Sequence, residues 1–522
     1  MANKNLFATI AGLLAPKADA VNEEGAKAYA LTPKQALAQY AATGCLNATF
    51  YASAEEQLEV VLGLAAEVET EFIAQTAIWS RECGFMKDMP ALLCAVLATR
   101  NLALLESIFP RVLDNGKMLR NFVQIVRSGV VGRKSFGTAV KRMIRNWLDA
   151  RSDAALFGDS VGQSPSIADV IRMVHPKPAN AHRAALYAYL IGRPYDLAKL
   201  PPMVRAYEAF KRGETAEVPD VSFQLLTSLD LSTSDWMAIA RNAPWQMTRM
   251  NLNTFARHGV FADEEVTNVI AARLSDRTAI AKARVFPYQL LTAYASAAET
   301  VPPIVHDALQ DAMEIATANV PRIEGKVYVC PDVSGSMQSP VTGARKGATS
   351  VVRCIDVAAL VTATVMRANP AAEVLPFETD VVRLRLNARD SVMTNAQKLA
   401  AVGGGGTNCS APLARLNARK AKGDLVIFVS DYESWADPPN GRGTAMMQEW
   451  NAFRKRNPNA RLVCMDIQPY RTVQVQPRED VLHVGGFIDA VFTIIARFAA
   501  GELSPDHWVG VIEGRGLGER VA

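Results

Sequence analysis

Hydrophobic residues over a long N-terminal part of the chain recur at intervals of three and four positions, the spacing that one face of an α-helix requires. The series Leu58, Val61, Leu62 and Ala65 shows it. The pattern runs from about residue 33 to about residue 318, is interrupted by Gly and Pro, and contains almost no strand-like alternation. It predicts many short antiparallel helices arranged as a solenoid or ring of helical hairpins, although no exact repeat is visible.

The pattern changes after Pro321, where fully apolar runs begin to alternate with helical segments. Predicted strands cover residues 326–330, 374–377, 381–386, 425–429 and 461–467. Predicted helices cover residues 354–367, 411–420, 444–455 and 488–499. This alternation indicates a parallel-dominated sheet covered on both faces. The boundary is predicted near residues 320–325, where residues 319–322 supply a Pro-containing linker, and it divides the chain into a helical domain, 1–322, and an α/β domain, 323–522.

Composition adds limits to this picture. With 522 residues, 49% hydrophobic and 21% charged, the chain has material for two or three domains with large cores. Its seven cysteines form no C-x-x-C motif and its six histidines no pair at helical spacing, so we predict free thiols in a reducing compartment and no zinc site. The N-terminus lacks a signal-peptide core and no 18-residue apolar span is present, which predicts a cytoplasmic protein.

Oxygen-bearing side chains follow the predicted strands. Asp332, Ser334 and Ser336 come after the first strand, Thr407 after four consecutive glycines, and Asp431 after the strand at 425–429. In open α/β sheets, ligands gather outside the carboxyl ends of the strands. Carboxylates and hydroxyls suit a hard divalent cation, which we expect to be Mg²⁺, with Mn²⁺ or Ca²⁺ as alternatives. The five residues predict one surface metal site with a coordination position open to an outside ligand.

Less specific interpretations of these motifs stay open. Asp-x-Ser-x-Ser alone is common in turns, but three separated pieces in strand context favour the metal site. Residues 158–162, Gly-Asp-Ser-Val-Gly, formally match a nucleophile elbow, yet a polar stretch precedes them where a strand is required, which favours a loop. A two-metal nuclease needs clustered carboxylates, and only Asp332 and Asp431 are offered, with Glu433 nearby. We therefore predict no enzymatic activity.

Basic residues are concentrated in two acid-free stretches, although the formal net charge is only +4. The stretch 116–145 holds Lys117, Arg120, Arg127, Arg133, Lys134, Lys141, Arg142 and Arg145. The stretch 171–193 adds Arg172, His175, Lys177, His182 and Arg183. A solvated face is the usual meaning of such runs. Two of them in one helical domain favour a surface that follows the phosphates of a polyanion, without separating RNA from DNA.

Two further segments combine aromatic and basic residues. A helix predicted from Lys134 to Leu148 turns its apolar side, residues 136, 140, 144 and 147, toward the core. Residues 240–259 hold several Arg and Asn side chains beside Trp245 and Phe255, and Pro244 is placed to open a helix. Buried polar networks and RNA contact both remain open for this second segment.

The helical part resembles the TROVE domain of the Ro autoantigen family, which includes bacterial Ro-like (Rsr) proteins. The segments that carry the resemblance are residues 80–90, 112–122, 128–137, 169–178 and the Arg-Asn-Ala-Pro-Trp segment at 241–245. The five oxygen-bearing residues resemble the metal-ion-dependent adhesion site (MIDAS) of von Willebrand factor A domains. A TROVE domain followed by such a domain is the architecture of that family.

The resemblance implies a HEAT-like helical-repeat ring closed by a C-terminal Rossmann-like von Willebrand factor A domain. In the family, the basic hole of the ring takes single-stranded 3′ ends of misfolded non-coding RNAs, and its outer surface binds a Y RNA. The resemblance thus implies that the helix with Lys134, Lys141, Arg142 and Arg145, together with residues 175–177, lies on the RNA surface. It also implies a 3′-to-5′ exoribonuclease partner, notably polynucleotide phosphorylase, tethered by the Y RNA.

Two functions follow from these observations. The first is an RNA-binding scaffold for quality control or processing of non-coding RNA. The alternative is a metal-dependent protein-adhesion module, in which the cation captures a carboxylate of a protein ligand and the helical domain is a scaffold. The basic stretches favour the first function, and the two functions are compatible.

Overall fold

The computed structural model describes residues 16–43, 46–162, 164–283, 285, 287–317, 320, 322–343, 352–436, 443–487, 489–503 and 506–518. Residues 319 and 321 of the predicted linker and residue 488, where the last predicted helix begins, lie outside these ranges. Within them, no helix is both long enough and apolar enough to cross a bilayer.

Helices cover most of the chain before residue 318. They are α1 Pro33–Thr43, α2 Ala54–Glu67, α3 Thr70–Glu82, α4 Asp88–Arg100, α5 Leu102–Val112, α6 Gly116–Ser128, α7 Gly137–Ala150, α8 Asp153–Asp159, α9 Ile167–Val174, α10 Ala181–Ile191, α11 Pro202–Lys211, α12 Phe223–Leu226, α13 Thr233–Asn242, α14 Trp245–Met250, α15 Leu252–Arg257, α16 Glu264–Leu274, α17 Arg277–Ala283, α18 Pro287–Ser296 and α19 Pro303–Thr317.

Strands and helices alternate in the remainder. The later helices are α20 Cys354–Ala368, α21 Val392–Ala400, α22 Ala411–Ala418, α23 Ala445–Arg456, α24 Asp489–Ala499 and α25 His507–Glu513. Two short strands precede the helices, β1 Ala20–Val21 and β2 Lys27–Ala30. The later strands are β3 Val327–Pro331, β4 Glu373–Val374, β5 Leu425–Ser430, β6 Arg461–Asp466, β7 Thr472–Val473 and β8 Val481–Gly485. The predicted fold class, a helical region followed by a parallel-sheet domain, is confirmed.

The chain divides into two compact units. The helical unit comprises Glu69–Ala279, Ala297–Ala308 and the described residues from Arg515 on. The sheet unit comprises Ile280–Ser296, Leu309–Gly514 and the described residues up to Val68. The N-terminal segment thus folds with the sheet, from which it is separated by more than two hundred residues of helix. The domain boundary predicted between residues 322 and 323 stays a prediction. These compact units are defined by contacts between residues, and such units need not end where a sequence domain ends.

The core of the helical unit is built around α4. Every residue from Met89 to Ala98 is buried, and helices α3, α5 and α6 pack against it. A helix that is apolar on all sides requires such an enclosed position. In α7 the predicted core residues Phe136, Val140, Ile144 and Trp147 are buried, although the helix begins three residues later than predicted.

The sheet unit contains a five-stranded parallel sheet in the order β4-β3-β5-β6-β8. Strands β3 and β5 are buried along their whole length, as their continuous apolar sequences require. Helix α20 packs on β3, whereas α1, α24 and α25 pack on β8. Because the chain passes from β3 to β4 on one side and returns to β5 on the other, the β3/β5 edge is the topological switch point.

The N-terminal segment joins this unit through its backbone. Strand β2 lies between β1 and β7 in a small antiparallel sheet, where Tyr29 pairs with Val473. Helix α1 then packs on β8 so closely that a Cβ on Gly485 would meet the Gln39 side chain at 2.5 Å. These contacts make residues 20–43 a structural part of the sheet unit.

Some predicted elements are wrong. Residues 381–386 form no strand; their apolar side chains alternate in burial, but only the bridge between Phe377 and Val381 ties them to a neighbour. Helix α21 and strand β8 were not predicted. Residues 158–162 form no nucleophile elbow, because helix α8 precedes Ser160 and the Ser160 hydroxyl donates to the Phe157 carbonyl at 2.6 Å.

Candidate metal centre and basic surface

Three carboxylates meet at the carboxyl edge of the parallel sheet. Asp332 follows β3, Asp431 follows β5, and Asp466 is the last residue of β6. Since β3 pairs with β5 and β5 with β6 in parallel register, their ends lie side by side. All three residues are buried, with exposures of 0%, 2% and 3%. The sheet topology therefore concentrates negative charge at one buried point, at the switch point where α/β folds bind ligands.

The loop after β3 turns its polar side chains toward that point. The Ser334 amide donates to Asp332 Oδ1 at 2.8 Å, which closes a tight turn. The Ser334 and Ser336 hydroxyl oxygens are 3.3 Å apart, and both residues are buried. On the other side, the Ser430 hydroxyl donates to Asp332 Oδ2 at 2.5 Å. These contacts hold the first carboxylate in one orientation, with two further hydroxyls beside it.

The glycine loop brings Thr407 to the same place. Gly404 and Gly405 have φ angles of +120° and +84°, which non-glycine residues rarely adopt. The Gly335 amide donates to the Gly405 carbonyl at 3.1 Å, so the two loops touch. The Thr407 carbonyl accepts from the Trp435 amide and from the Ser434 hydroxyl, each at 3.2 Å, which places it against the loop after β5. The loops that carry the five predicted ligands therefore meet at this edge of the sheet.

The carboxylates at this edge lack compensating partners. Both Asp431 oxygens, Glu433 Oε1 and Asp466 Oδ1 are buried without a hydrogen-bond partner in the described chain. Burial, and next the charge of Asp431, raise the pKa of Asp332 to about 7, and burial raises the pKa of Glu433 to about 8. Burial likewise raises the pKa of Asp431. The nearby Ser336 hydroxyl lowers this pKa in part, although neither carboxylate oxygen of Asp431 has a hydrogen-bond partner in the described chain. Such groups are costly unless they are neutralised.

The donor set fits a hard divalent cation. Two carboxylates and three hydroxyls supply only oxygen, the ligand type that Mg²⁺, Mn²⁺ and Ca²⁺ prefer. No Lys or Arg of the described ranges forms an ion pair with Asp332, Asp431, Glu433 or Asp466. Those ranges also contain no group of three or more His, Cys, Asp and Glu arranged for a metal, which a site of two carboxylates and three hydroxyls does not require.

The sequence predicted a surface site, and in this respect the structure differs. The most exposed of the five residues, Ser336, is only 6% accessible. Part of the cover comes from the N-terminal segment, where Asn22 Nδ2 donates to the Ser434 carbonyl and the Glu23 amide donates to Glu433 Oε2, each at 2.7 Å. No motif in the sequence marks these residues, because backbone amides and single side chains carry no spacing signal.

The thirteen predicted RNA-binding residues fall into two groups. In the first group, the basic side chain already bonds backbone or side-chain groups of the helical unit. Arg133 donates to the Ala98 carbonyl at 2.5 Å, Arg145 to the Val174 carbonyl at 2.5 Å, and Arg183 to the Leu148 carbonyl at 2.9 Å. Arg183 also pairs with Asp153 at 2.6 Å. Guanidinium groups suit this role because their several donors reach helix-end carbonyls.

Four more residues of the first group have local partners. Arg120 Nε donates to the Gly116 carbonyl at 3.3 Å, and burial lowers the pKa of this guanidinium. Arg142 is bidentate to Glu106, with both distances at 3.0 Å. Arg172 contacts Asp169 and the Ile191 carbonyl, and the His182 ring contacts the Lys199 carbonyl at 2.8 Å. These side chains are therefore partly bonded within the helical unit.

The second group is exposed or half-exposed and has no ion-pair partner within the described chain: Lys117, Arg127, Lys134, Lys141, His175 and Lys177. Several of them converge on the end of α9. Arg127 Nη1 is 3.3 Å from the Met173 sulfur, and Arg145, one turn after Lys141 on α7, bonds the Val174 carbonyl. Lys117 lies at the opposite end of α6 from Arg127. We call Arg127, Lys141, His175 and Lys177 the α9-end cluster.

His175 has an unusual backbone. It ends α9 in the left-handed region, with φ +49° and ψ +65°, and its amide donates to the Ile171 carbonyl. Non-glycine residues rarely adopt this conformation, which costs about 1 kcal/mol or more. The prolines at 176 and 178 restrict the backbone that follows. The exposed imidazole and the Lys177 ammonium are therefore presented on a stiff segment.

The segment 240–259 supports its interpretation as a polar network. Arg241 pairs with Glu265 at 2.7 Å, and the Trp245 indole donates to the Leu274 carbonyl at 3.1 Å. Arg273 donates to the Ala240 carbonyl at 2.7 Å. Helix α14 begins directly after Pro244, as predicted. These bonds connect α13, α14 and α16.

Comparisons with known proteins divide the chain in the same order. Residues 170–346 match the model of the TROVE domain, and residues 326–499 match that of the Ro60 vWA domain. The basic stretch 116–145 lies before the first match. An RNA-binding protein RO60 of Deinococcus radiodurans is 24% identical, covering 96% of this chain and 100% of the relative. A protein of the same name from Caenorhabditis elegans is 25% identical, over 49% of this chain and 40% of the relative.

A solved structure gives the same fold. The crystal structure of the Deinococcus radiodurans RO (RSR) protein superposes with a TM-score of 0.58 and 20% identity. The alignment covers 90% of this chain and 100% of that structure. At this identity the similarity concerns the fold of the chain, not its individual contacts.

The raised pKa of Asp332 predicts how the stability of the metal-free protein depends on pH. Because the folded state holds this proton more tightly than the unfolded chain, the stabilisation is complete below the unfolded pKa of about 4 and is lost as the pH rises through about 7. In EDTA, we expect Asp332→Asn to gain stability relative to wild type as the pH rises from about 4 to about 7. Urea unfolding at several pH values measures this, and a difference that does not change with pH would contradict it.

The division of the basic residues predicts a large effect on stability for the first group and a small one for the second. We expect Arg183→Ala to destabilise the helical unit by about 2 kcal/mol, because it removes a partly buried ion pair and bonds to helix-end carbonyls. Lys177→Ala should change stability by less than about 0.5 kcal/mol, because its side chain is exposed and unpaired among described residues. Denaturant unfolding followed by helical circular dichroism tests both; equal effects would show the division to be wrong.

Proposed function

The chain belongs to the Ro family, in which a TROVE domain precedes a Ro60 vWA domain, and from this premise we propose that it is an RNA-binding scaffold. The observation that carries the proposal is the α9-end cluster. Arg127 contacts the end of α9, Lys141 lies one turn before Arg145 on α7, Lys177 follows α9 on a stiff segment, and within the described residues none of the three pairs with an acid. Phosphates are the natural partners of such a surface, since their binding releases counterions.

The RNA we propose is a non-coding RNA with a single-stranded 3′ end, together with a Y RNA. The family resemblance supports this choice, and both similar proteins carry the name RNA-binding protein. We further propose a role in RNA quality control or processing, alongside polynucleotide phosphorylase or another 3′-to-5′ exoribonuclease. In that arrangement the scaffold presents the RNA, the exoribonuclease cleaves it, and the scaffold itself catalyses nothing.

We also propose that the sheet unit binds one divalent cation, most simply Mg²⁺, through Asp332, Ser334, Ser336, Thr407 and Asp431. The buried carboxylates without partners support this, because a cation would neutralise them. The bound cation would offer a coordination position to a carboxylate. The alternative function, protein adhesion through that position, is favoured by this observation and is compatible with RNA binding by the helical unit.

The α9-end cluster should determine the affinity for RNA. We expect the variant Arg127→Ala/Lys141→Ala/Lys177→Ala to bind a structured RNA with a single-stranded 3′ tail more weakly than wild type. Its dependence of log K on log salt should flatten by about one unit per lost phosphate contact. Fluorescence anisotropy at several salt concentrations measures both quantities, with a blunt-ended form of the same RNA for comparison.

A matched variant controls for net charge. Lys199→Ala/Lys211→Ala/Arg212→Ala removes the same charge from the same unit, but each of these residues already pairs with an acid. It should bind RNA almost as wild type does. If both variants lose affinity equally, only net charge matters. If neither does, the α9-end cluster is a solvated face and the proposal is wrong.

A divalent cation should raise the stability of the sheet unit. Mg²⁺ or Mn²⁺ should stabilise the wild-type protein by about 2.7 kcal/mol at one hundred times its dissociation constant. Asp332→Ala should abolish this effect and leave RNA affinity unchanged, because the ligands and the α9-end cluster belong to different units. Thermal unfolding with and without metal measures it, with Glu502→Ala, an exposed acid of the same unit, as the control. Loss of RNA affinity in Asp332→Ala would contradict the division of labour.

A further inference from the structure

A cavity inside the sheet unit is enclosed by α1, β8 and α25. These three elements pack on one another, and Lys34 of α1 pairs with Glu513 of α25 at 2.9 Å. The cavity has a volume of about 140 Å³. A single water molecule needs only roughly 15 Å³ of such space. The cavity is therefore large enough for a small organic molecule.

Three side chains that line this cavity carry buried hydrogen-bonding atoms. They are Gln39 of α1, His483 of β8 and His507 of α25. Gln39 is 1% exposed and His507 is 9% exposed. Gln39 Oε1, His483 Nε2 and His507 Nδ1 are each buried without a hydrogen-bond partner in the described chain. Each enclosing element thus supplies one polar atom that a ligand in the cavity can satisfy.

The tautomers of the two histidines leave lone pairs on these nitrogens. His507 Nε2 lies 3.0 Å from the Arg478 carbonyl, which can only accept, so Nε2 carries the proton. The same ring meets the Phe498 ring edge-on, with centroids 4.9 Å apart, which fixes its orientation. His483 donates to the backbone of Val475 through its other nitrogen, and burial lowers its pKa to about 4, so its ring is neutral at neutral pH. Both unbonded nitrogens are therefore acceptors, as an amide oxygen is.

Apolar groups form much of the remaining wall of the cavity. Ala38, Val481 and Val509 line it together with the Trp508 ring. Water can satisfy acceptors but gains nothing from apolar walls, whereas an alkyl chain placed against them is removed from solvent, which favours its binding. The lining thus combines three acceptors with a surface that suits a short alkyl chain.

The charged groups of the lining favour a cation. Glu479 and Asp506 line the cavity and are exposed, so they lie where it opens to solvent. Arg478 also lines it, but this guanidinium donates to both carboxylate oxygens of Asp480, at 2.9 and 2.7 Å, which offsets its charge. A ligand that enters the cavity therefore passes two carboxylates before it reaches the buried acceptors.

We propose that this cavity binds a short primary alkylammonium ion. Its head has three N–H donors, one each for Gln39 Oε1, His483 Nε2 and His507 Nδ1, and its chain lies against the apolar walls. The site shares no residue with the α9-end cluster or with the proposed ligands of the divalent cation. Because the ion bonds α1, β8 and α25 together, its binding should stabilise the sheet unit.

Butylammonium chloride is the probe for this site, tested on the full chain at about pH 8, where a primary amine keeps its proton. We expect it to raise the thermal stability of the wild-type protein and to shift the NMR signals of His483 and His507 among the six histidines. Tetramethylammonium chloride carries the same charge but no N–H donor, so it should do neither at equal concentration. Equal responses to both ions would indicate a general salt effect, and no response to either would indicate that the cavity holds water only. Each of these two results overturns the inference.

Gln39→Leu removes one of the three acceptors and keeps a side chain of similar size. We expect this variant to bind butylammonium about tenfold more weakly in an NMR titration, because a hydrogen bond to a charged group is lost. Gln397→Leu makes the same change at an exposed position of the same unit and should bind as wild type does. Equal affinities of Gln39→Leu and wild type contradict the proposed site, as do equal losses in the two variants. If Gln39→Leu does not fold, the comparison of the two ions on wild type decides alone.

Discussion

The burial of several carboxylates at one edge of a parallel sheet is the constraint on which the sheet unit depends. Asp332, Asp431 and Asp466 end neighbouring strands, and the strand pairing leaves them no freedom to separate. A buried carboxylate without a partner costs several kcal/mol, and like charges nearby raise that cost. The surrounding serines and backbone amides reduce the cost for Asp332 but leave both oxygens of Asp431 unbonded. The proposed cation would offset this cost, as protonation of the carboxyl groups also does.

The N-terminal segment depends on the same edge. Its turn bonds residues that follow it by more than four hundred positions, and two of these bonds end on the loop after Asp431. Pairing of β2 with β7 and packing of α1 on β8 support the turn from behind. A segment without any recognisable motif is thus part of the cover of the site. Its polar contacts stabilise the folded state because they give hydrogen-bond partners to buried oxygens of that loop.

What could be predicted from the sequence follows from how local the determinants are. Asp332, Ser334 and Ser336 lie on one loop after an apolar strand, so their convergence was predictable, and parallel pairing brings Asp431 beside them. Residues 381–386 alternate as a strand does, but a strand needs a partner edge, which the sequence does not specify. The contacts of Asn22 and Glu23 depend on the assembled sheet, and no spacing rule reaches across the chain to them.

The basic residues show the same limit in another form. An acid-free run predicts positive charge, but not whether that charge faces solvent. Arg133, Arg145 and Arg183 lie in such runs and donate hydrogen bonds to carbonyls near helix ends. Lys141 and Lys177 have no such partner in the described chain. An ammonium is a strongly hydrated point charge, and a guanidinium is a planar fork that reaches several acceptors.

The net charge of +4 conceals two separate excesses. The helical unit carries exposed cations without acids, and the sheet unit carries buried acids without bases among its described residues. Under the proposed function, each excess has a ligand of its own. In that proposal a polyanion neutralises the first excess and a small hard cation neutralises the second. This is why RNA binding and metal binding are expected to respond to different substitutions in one chain.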